Sequence, residues 1–230
     1  MNQPLKRGFF VTATGTDIGK TYVSAGLLRH WRQAGKRISA LKPVMSGFDR
    51  SQAAASDAGE LLQAMGLPVD DAHLDRLAPW RFAAPLSPDM AALREGKTID
   101  PEAVTAFCRR HLENDLDYIL VEGVGGVMVP LSESGTVLDW MASLKLPTIL
   151  VAGSYLGTIS HTLTALAVLK MRQISVASVV LNESPVSPVP LSETAAALKQ
   201  HWGGIDIVCL NRHATASEFS RLAEQLERTA

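Results

Sequence analysis

The sequence predicts an α/β fold, in which a mainly parallel sheet carries helices on both faces. Two observations lead to this prediction. Short, almost continuously apolar runs alternate with amphipathic helical patterns, and such runs are typical of strands that helices cover on both sides. Strand–helix–strand alternation also needs crossover connections, which make neighbouring strands parallel. In sheets of this kind, ligands bind beyond the carboxyl ends of the strands.

The predicted elements cover most of the chain. Strands are expected at residues 9–13, 38–41, 118–122, 148–153, 176–181 and 205–210, and helices at residues 20–34, 56–65, 101–113, 157–172, 191–201 and 215–228. Residues 65–100 contain four prolines and are expected to form an irregular excursion at one edge. No linker-like segment interrupts the pattern, so residues 1–230 are predicted to form a single domain.

Composition and charge exclude several classes of protein. Of the 230 residues, 47% are hydrophobic and 20% are charged, which is typical of a soluble globular protein. The formal net charge of −1 gives no general attraction to nucleic acid, and no apolar run approaches the roughly 20 residues of a membrane span. The two cysteines, Cys108 and Cys209, are too few for a disulfide framework. We therefore expect a cytoplasmic protein with no nucleic-acid or membrane partner.

Residues 11–21, Val-Thr-Ala-Thr-Gly-Thr-Asp-Ile-Gly-Lys-Thr, lie between the first predicted strand and the first predicted helix. This arrangement is typical of a phosphate-binding loop, because the amides and the dipole at a helix start attract an anion. Lys20 is expected to reach the β/γ-phosphates of a nucleotide and Thr21 to ligate Mg²⁺. The fold class is therefore refined to P-loop NTPase-like. The predicted nucleotide-binding residues of this segment are Asp17, Ile18, Gly19, Lys20, Thr21 and Tyr22.

A second lysine, Lys42, follows the second predicted strand. It is expected at the same end of the sheet as the phosphate loop, and both Lys20 and Lys42 are expected to be exposed in one cleft. Two lysines close to a phosphate indicate stabilisation of a very negative transition state.

Carboxylates are predicted at the same end. Glu122 closes a buried strand and precedes the turn Gly123-Val124-Gly125, a position where phosphate-loop enzymes place a carboxylate associated with Mg²⁺. Asp57 follows the helix-capping residue Ser56, and it is either a charge at the helix start or a second metal ligand. The candidate metal set is Thr21, Asp57 and Glu122.

Two further strand ends carry candidate binding groups. The amides near Gly157 and Thr158, with Ser160, are suited to binding a carboxylate, although ordinary capping by Thr158 or Ser160 explains the spacing better. Asn182 ends the fifth strand, where it is either a contact to a purine edge or a turn-forming residue.

Taken in order, the motifs resemble those of the dethiobiotin synthetase family over residues 9–182. The matching pieces are Thr14-Gly15-Thr16-Asp17-Ile18-Gly19-Lys20-Thr21, Lys42-Pro43-Val44-Met45-Ser46-Gly47, Ser56-Asp57, Pro85-Leu86-Ser87-Pro88, Val121-Glu122-Gly123-Val124-Gly125-Gly126, Asp139-Trp140 and Leu156-Gly157-Thr158-Ile159-Ser160-His161. Each piece is modestly specific, whereas their common order and spacing are highly specific.

The resemblance implies a homodimer with a seven-stranded, largely parallel sheet. It also implies a reaction in which 7,8-diaminononanoate takes up CO₂ as a carbamate, ATP phosphorylates the carbamate, and the second amine closes the ring. By position, it assigns Lys20 and Lys42 to charge neutralisation, Thr16 and Ser46 to the reacting end of the substrate, and Asn182 to adenine. The resemblance further assigns Thr21, Asp57 and Glu122 to Mg²⁺, and Gly157, Thr158 and Ser160 to the substrate carboxylate across the dimer interface.

Two other functions compete with this one. The cobyrinate and cobyric acid synthase group has similar ATP-binding domains but usually carries a glutaminase domain, and neither Cys108 nor Cys209 lies in the context of its nucleophile. A partitioning-type ATPase switch usually has an additional lysine early in the loop, where this chain has Thr14 and Gly15.

Overall fold

The computed structural model describes residues 7–229. Its main sheet has six strands in the order β2-β5-β1-β6-β7-β8, and every neighbouring pair is parallel. The strands of this sheet are β1 (Arg7–Ala13), β2 (Ile38–Leu41), β5 (Tyr118–Glu122), β6 (Thr148–Ala152), β7 (Val176–Asn182) and β8 (Ile207–Leu210). Two short strands, β3 (Val44–Met45) and β4 (Trp80–Arg81), pair with each other in a separate sheet.

Helices pack on both faces of the main sheet. They are α1 (Lys20–Gln33), α2 (Asp57–Met65), α3 (Asp71–Leu77), α4 (Pro88–Arg94), α5 (Pro101–Leu112), α6 (Val137–Leu144), α7 (Thr158–Met171), α8 (Leu191–His201) and α9 (Ala216–Thr229), with a short 3₁₀ helix at Arg50–Ala55. Alternate residues of β1 serve the two sides: Phe9 and Val11 pack in the cluster with α1, α2 and α9, and Phe10 packs in the cluster with α5, α6 and α7. The two apolar cores therefore lie on opposite faces of one sheet.

The parallel arrangement places the functional segments at one edge. At the carboxyl edge of the sheet, the contiguous strands β5, β1, β6 and β7 end at Glu122, Ala13, Ala152 and Asn182. Lys42 directly follows β2 at the same edge. The predicted α/β fold and all six predicted strands are confirmed, with ends that differ by no more than two residues. Within the described residues, no helix combines the length and the apolar character that a membrane crossing requires.

Two expectations about the fold are wrong. The sheet formed by the described residues has six strands rather than seven, because β3 and β4 pair with each other beside it. Residues 65–100 are also more regular than expected, since they contain α3, β4 and α4. Asp70 caps α3 by accepting a hydrogen bond from the His73 amide, and Pro88 is the first residue of α4. Helices of seven residues depend on packing more than on periodicity, so their pattern is weak in the sequence. The helix α6 lies in a region for which no element was predicted.

We expect Gly26→Ala to destabilise the fold. Gly26 lies in α1 against α9, and a Cβ atom there would be 2.0 Å from Cε1 of Phe219, a buried ring. Overpacking of this kind costs about 1–3 kcal/mol, which exceeds the gain in helix propensity of up to about 1 kcal/mol. The free energy of unfolding from denaturant titration measures the effect. Gly203→Ala is the control, because its Cβ would meet no atom within 4 Å. Equal stabilities of the two variants would contradict the prediction.

Candidate active site

The phosphate loop connects β1 to α1 and has the backbone that an anion site needs. Gly19 precedes α1 with φ 99°, a left-handed conformation that favours glycine. A Cβ atom at Gly19 would also lie 2.3 Å from Nδ2 of Asn182, which donates a hydrogen bond to the carbonyl of Ile18 at 3.0 Å. Because Gly19 has no side chain to cap the helix, the first amides of α1 remain available to a ligand.

Lys20 and Lys42 line a single cavity of about 500 Å³ beside this loop. The loop also contributes Thr16, Asp17, Gly19, Thr21 and Tyr22 to the lining. Other segments at the same edge contribute Ser46, Asp57, Val124 and Gly125. Parallel topology thus brings together residues from four separate parts of the chain, as the sequence predicted.

The expectation that both lysines are exposed is wrong. Lys20 is 7% exposed and Lys42 is 2% exposed, although both border the cavity. Lys42 is buried because carboxylate and carbonyl oxygens surround its ammonium group. Nζ of Lys42 lies 2.7 Å from Oε1 of Glu122, 2.7 Å from Oδ2 of Asp57 and 3.1 Å from the carbonyl oxygen of Gly123. An ammonium group has three donors, so these three acceptors match it fully.

Glu122 contacts Thr21 and Lys42, which line the cavity, and is itself 1% exposed. Its Oε1 accepts hydrogen bonds from Thr21 Oγ1 at 2.8 Å and from Lys42 Nζ at 2.7 Å. Its Oε2 accepts a hydrogen bond from Ser24 Oγ at 2.6 Å. Sequence reasoning missed Ser24. The available signal was a hydroxyl three residues after Thr21 on the same side of a helix, among otherwise apolar buried positions.

The pKa values of the two lysines are shifted in opposite directions. Burial, together with the nearby Lys42, lowers the pKa of Lys20 to about 8 against the opposing effect of Glu122, Asp57 and Asp17. Burial also acts to lower the pKa of Lys42, but the contacts with Glu122 and Asp57 outweigh it and the pKa is raised. Lys42 is therefore a permanent cation, whereas Lys20 can lose its proton in mildly alkaline solution.

Asp57 has the first of the two roles that the sequence left open, a charge at the start of a helix. It is the first residue of α2, after Ser56, which accepts a hydrogen bond from the Gly59 amide at 3.2 Å. Its carboxylate also points at Lys42. Burial acts to raise the pKa of Asp57, but the charge of Lys42 and its hydrogen bond outweigh this effect, so the pKa is lowered. Asp57 is consequently an anion that faces the cavity.

The donor set at this point suits a hard divalent cation. The carboxylates of Asp57 and Glu122 both contact the Lys42 ammonium, and the Thr21 hydroxyl contacts Glu122. Mg²⁺ prefers one or two carboxylates together with phosphate oxygens and waters, so these residue types fit it. Within residues 7–229, no group of three or more His, Cys, Asp or Glu side chains forms a metal cluster, so an all-protein cage is not present in that range.

The remaining predicted residues lie outside this cavity. Ile18 and Asn182 support the loop from behind, and Gly123 contributes the carbonyl oxygen that holds Lys42. Gly157, Thr158 and Ser160 line a second cavity of about 730 Å³, which shares no lining residue with the first in the part of the chain that is described. Capping of α7 by Thr158 or Ser160, which the spacing favoured, is wrong. Gly157 occupies the capping position, and the Thr158 hydroxyl donates to the Gly153 carbonyl at 2.7 Å.

The fold and site define a P-loop nucleotide-binding protein, and solved structures share this fold. The cell division ATPase MinD of Pyrococcus furiosus aligns with a TM-score of 0.56 at 16% identity, over 98% of this chain and all (100%) of that one. MinD of Pyrococcus horikoshii, solved as a complex with Mg-ADP, aligns with a TM-score of 0.54 at 14% identity, over 98% of this chain and 86% of that one. Identities this low establish the fold alone.

Sequence comparison identifies the family within the P-loop nucleotide-binding proteins to which the chain belongs. A family described as an AAA domain matches residues 7–216. The ATP-dependent dethiobiotin synthetase BioD of Acidiphilium cryptum is 50% identical over 85% of this chain and 88% of its own length. The corresponding protein of Phenylobacterium zucineum is 47% identical over 95% of this chain and 94% of its own length. The chain therefore belongs to the ATP-dependent dethiobiotin synthetase family, which confirms the resemblance seen in the motifs.

We expect Lys42→Met to lower the free energy of unfolding by about 3–5 kcal/mol, because it leaves the buried Glu122 carboxylate without its cation. Chemical denaturation at neutral pH measures the change. Lys36→Met is the matched control, since Lys36 is exposed and its loss should change stability by less than about 0.5 kcal/mol. If both variants unfold at the same denaturant concentration, the buried charge cluster has no structural importance.

Proposed function

We propose that this protein is an ATP-dependent dethiobiotin synthase, a carbon–nitrogen bond-forming cyclo-ligase of biotin biosynthesis. The observation that carries the proposal is the convergence of Lys20 and Lys42 on one cavity beside the phosphate loop, in a chain of this family. The substrates are 7,8-diaminononanoate, CO₂ and ATP, and the products are dethiobiotin, ADP and phosphate.

The reaction proceeds in three steps, each of which places negative charge near the lysines. One amine of the substrate adds to CO₂ and loses a proton, which gives a carbamate. The carbamate oxygen takes the γ-phosphoryl group of ATP, and ADP leaves. The second amine attacks the carbonyl carbon of the resulting mixed anhydride and loses a proton, the ring closes, and phosphate leaves. The two amines supply the nucleophiles, so the protein needs only to position the reactants and to stabilise charge.

The lysines have different tasks in this scheme. Lys42 is a fixed cation that neutralises the carbamate and the transferring phosphoryl group, while Lys20 binds the phosphate chain from the start of α1. Thr16 and Ser46 line the same cavity and hold the reacting end of the substrate by hydrogen bonds. The glycine-containing turn at Gly123, Val124 and Gly125 borders the nucleotide.

Mg²⁺ is the proposed metal cofactor, and Thr21, Asp57 and Glu122 are the residues that would hold it. Its contribution when bound is to neutralise phosphate oxygens. The arrangement of oxygen donors beside the phosphate loop supports this assignment.

Asn182 is proposed to contact adenine. Among the described residues, its Oδ1 is buried and has no hydrogen-bond partner, while its Nδ2 donates to the carbonyl of Ile18. A free amide oxygen at this point can accept a hydrogen bond from the exocyclic amino group of adenine. Buried acceptors without a partner are costly, so a ligand that supplies a donor gains affinity.

A homodimer is part of the proposal because the proposed site for the substrate carboxylate lies apart from the catalytic cavity. Gly157, Thr158 and Ser160 line a cavity separate from the catalytic one, and Leu156 beside them is 88% exposed. A partner subunit that packs over this segment would bring its carboxylate site to the neighbouring phosphate loop. We further propose one domain, since one sheet separates both cores, and a cytoplasmic location, in keeping with the two free cysteines.

The direct test is an assay with ATP, Mg²⁺, bicarbonate and diaminononanoate, in which ADP and the cyclic urea product are measured. The proposal expects both products in equal amounts. ATP hydrolysis that depends instead on an added protein or lipid would favour a partitioning-type switch, which has the same fold.

Loss of Lys20 should reduce turnover strongly. We expect Lys20→Ala to lower kcat by about 100-fold or more, because a donor aimed at the developing charge is removed. Steady-state kinetics at saturating substrates measure kcat, and circular dichroism checks the fold. Lys36→Ala is the matched control and should retain full activity. Turnover of Lys20→Ala within a few-fold of the unmodified protein would remove Lys20 from the mechanism.

Nucleotide affinity should fall as the pH rises through about 8, the pKa of Lys20 in the free protein. Only the protonated amine attracts phosphate, so affinity is full below this pKa and falls above it, by up to about tenfold per pH unit. Calorimetric titration with Mg-ADP from about pH 7 to about pH 9.5 measures the slope. Lys20→Met should bind more weakly at every pH and without this slope. An equal slope in that variant would show that another group titrates.

A further inference from the structure

We infer that Ser24 is a positioning residue of the active site, acting through Glu122. The inference rests on the proposed function, because it concerns the lysine and the metal-binding residues assigned there. Ser24 lies in α1, one turn beyond the phosphate loop, and is completely buried. It donates a hydrogen bond of 2.6 Å to Oε2 of Glu122. It therefore does not line the cavity, and its effect on the reaction is indirect.

The geometry indicates what this contact does. The last torsion angle of a glutamate side chain is broad, so a carboxylate held at one oxygen can still rotate. In Glu122 both oxygens are held: Thr21 and Lys42 bind Oε1, and Ser24 binds Oε2. Thr21 and Ser24 are three residues apart on one side of α1, so a single rigid helix fixes the plane of the carboxylate.

The orientation of Glu122 in turn decides where Oε1 points. With the carboxylate plane fixed, Oε1 faces Thr21 and Lys42, the two residues that connect Glu122 to the cavity. Without the Ser24 hydroxyl, Oε2 of a buried carboxylate loses its donor. The group can then regain a partner by rotating, and this would displace the Lys42 ammonium and the Thr21 hydroxyl. Loss of such a supporting contact typically costs about 10–100-fold in metal affinity or activity.

The test compares the Mg²⁺ requirement of Ser24 variants. The half-saturating Mg²⁺ concentration is measured twice, for product formation and for ADP binding by calorimetry. We expect Ser24→Ala to raise it by about tenfold or more in both measurements, and Ser24→Thr, which keeps the hydroxyl, to stay within about threefold of the unmodified protein. Glu122→Gln sets the upper limit of the effect.

Ser178→Ala is the matched control. Ser178 is a fully buried serine of β7, and its hydroxyl donates to the Val179 carbonyl at 3.3 Å, away from the cavity. This variant also loses one buried hydroxyl, so it should share any loss of thermal stability but keep the original Mg²⁺ requirement. A Mg²⁺ shift equal to that of Ser24→Ala would assign the effect to general destabilisation and overturn the inference.

Further outcomes also decide the question. An unchanged Mg²⁺ requirement in Ser24→Ala overturns the positioning role. If Ser24→Ala does not fold, Ser24→Cys retains most of the volume with a weaker donor, and it must show the same direction of shift. If the unmodified protein forms no dethiobiotin, the proposed function fails, whereas the ADP-binding titration still tests Ser24 by itself.

Discussion

A buried carboxylate at the end of β5 holds the catalytic edge of this protein together. Glu122 receives hydrogen bonds from Thr21 and Ser24 of α1 and from Lys42 after β2, and Lys42 pairs in turn with Asp57 at the start of α2. Four elements that are distant in sequence thus meet at one charge cluster. Burying such charges costs several kcal/mol per ion unless each is paired and hydrogen-bonded, so the cluster admits few alternative arrangements.

The same cluster gives the two lysines different properties. Lys42 is enclosed by acceptors that raise its pKa, so its charge is constant. Lys20 lies close to that charge, with a pKa of about 8. A lysine with a lowered pKa is stabilised most by a highly charged anion, because binding of the anion raises the pKa of Lys20 again. A phosphate chain is such an anion, which fits the position of Lys20 at the start of α1.

Fold and site carry different information about function. The MinD structures share the fold at identities of 14–16%, although one is a septum site-determining protein and the other a cell division ATPase. Sequence comparison over most of the chain separates this protein from them, since relatives at 44–50% identity are dethiobiotin synthetases. The second lysine and its two carboxylates are the part of the site on which the proposed chemistry depends.

Sequence patterns were sufficient for the six strands of the main sheet, for six of the helices and for their order. The local signals are the apolar strands, the glycine-containing loop, and the lysine, glutamate and asparagine at strand ends. Parallel topology then implies that these ends share one edge. Short helices such as α3, α4 and α6 were not predicted, because packing rather than periodicity stabilises them.

Burial and pairing at the site were decided only by the tertiary structure. Lys42 and Glu122 are 80 positions apart, and Thr21 and Glu122 are 101 positions apart. No local pattern indicates that Lys42 is enclosed rather than exposed, and the three-residue spacing of Thr21 and Ser24 does not identify Glu122 as their common partner. The energy of a charged group depends on the partners and the dielectric around it, and both arise only when distant segments pack together.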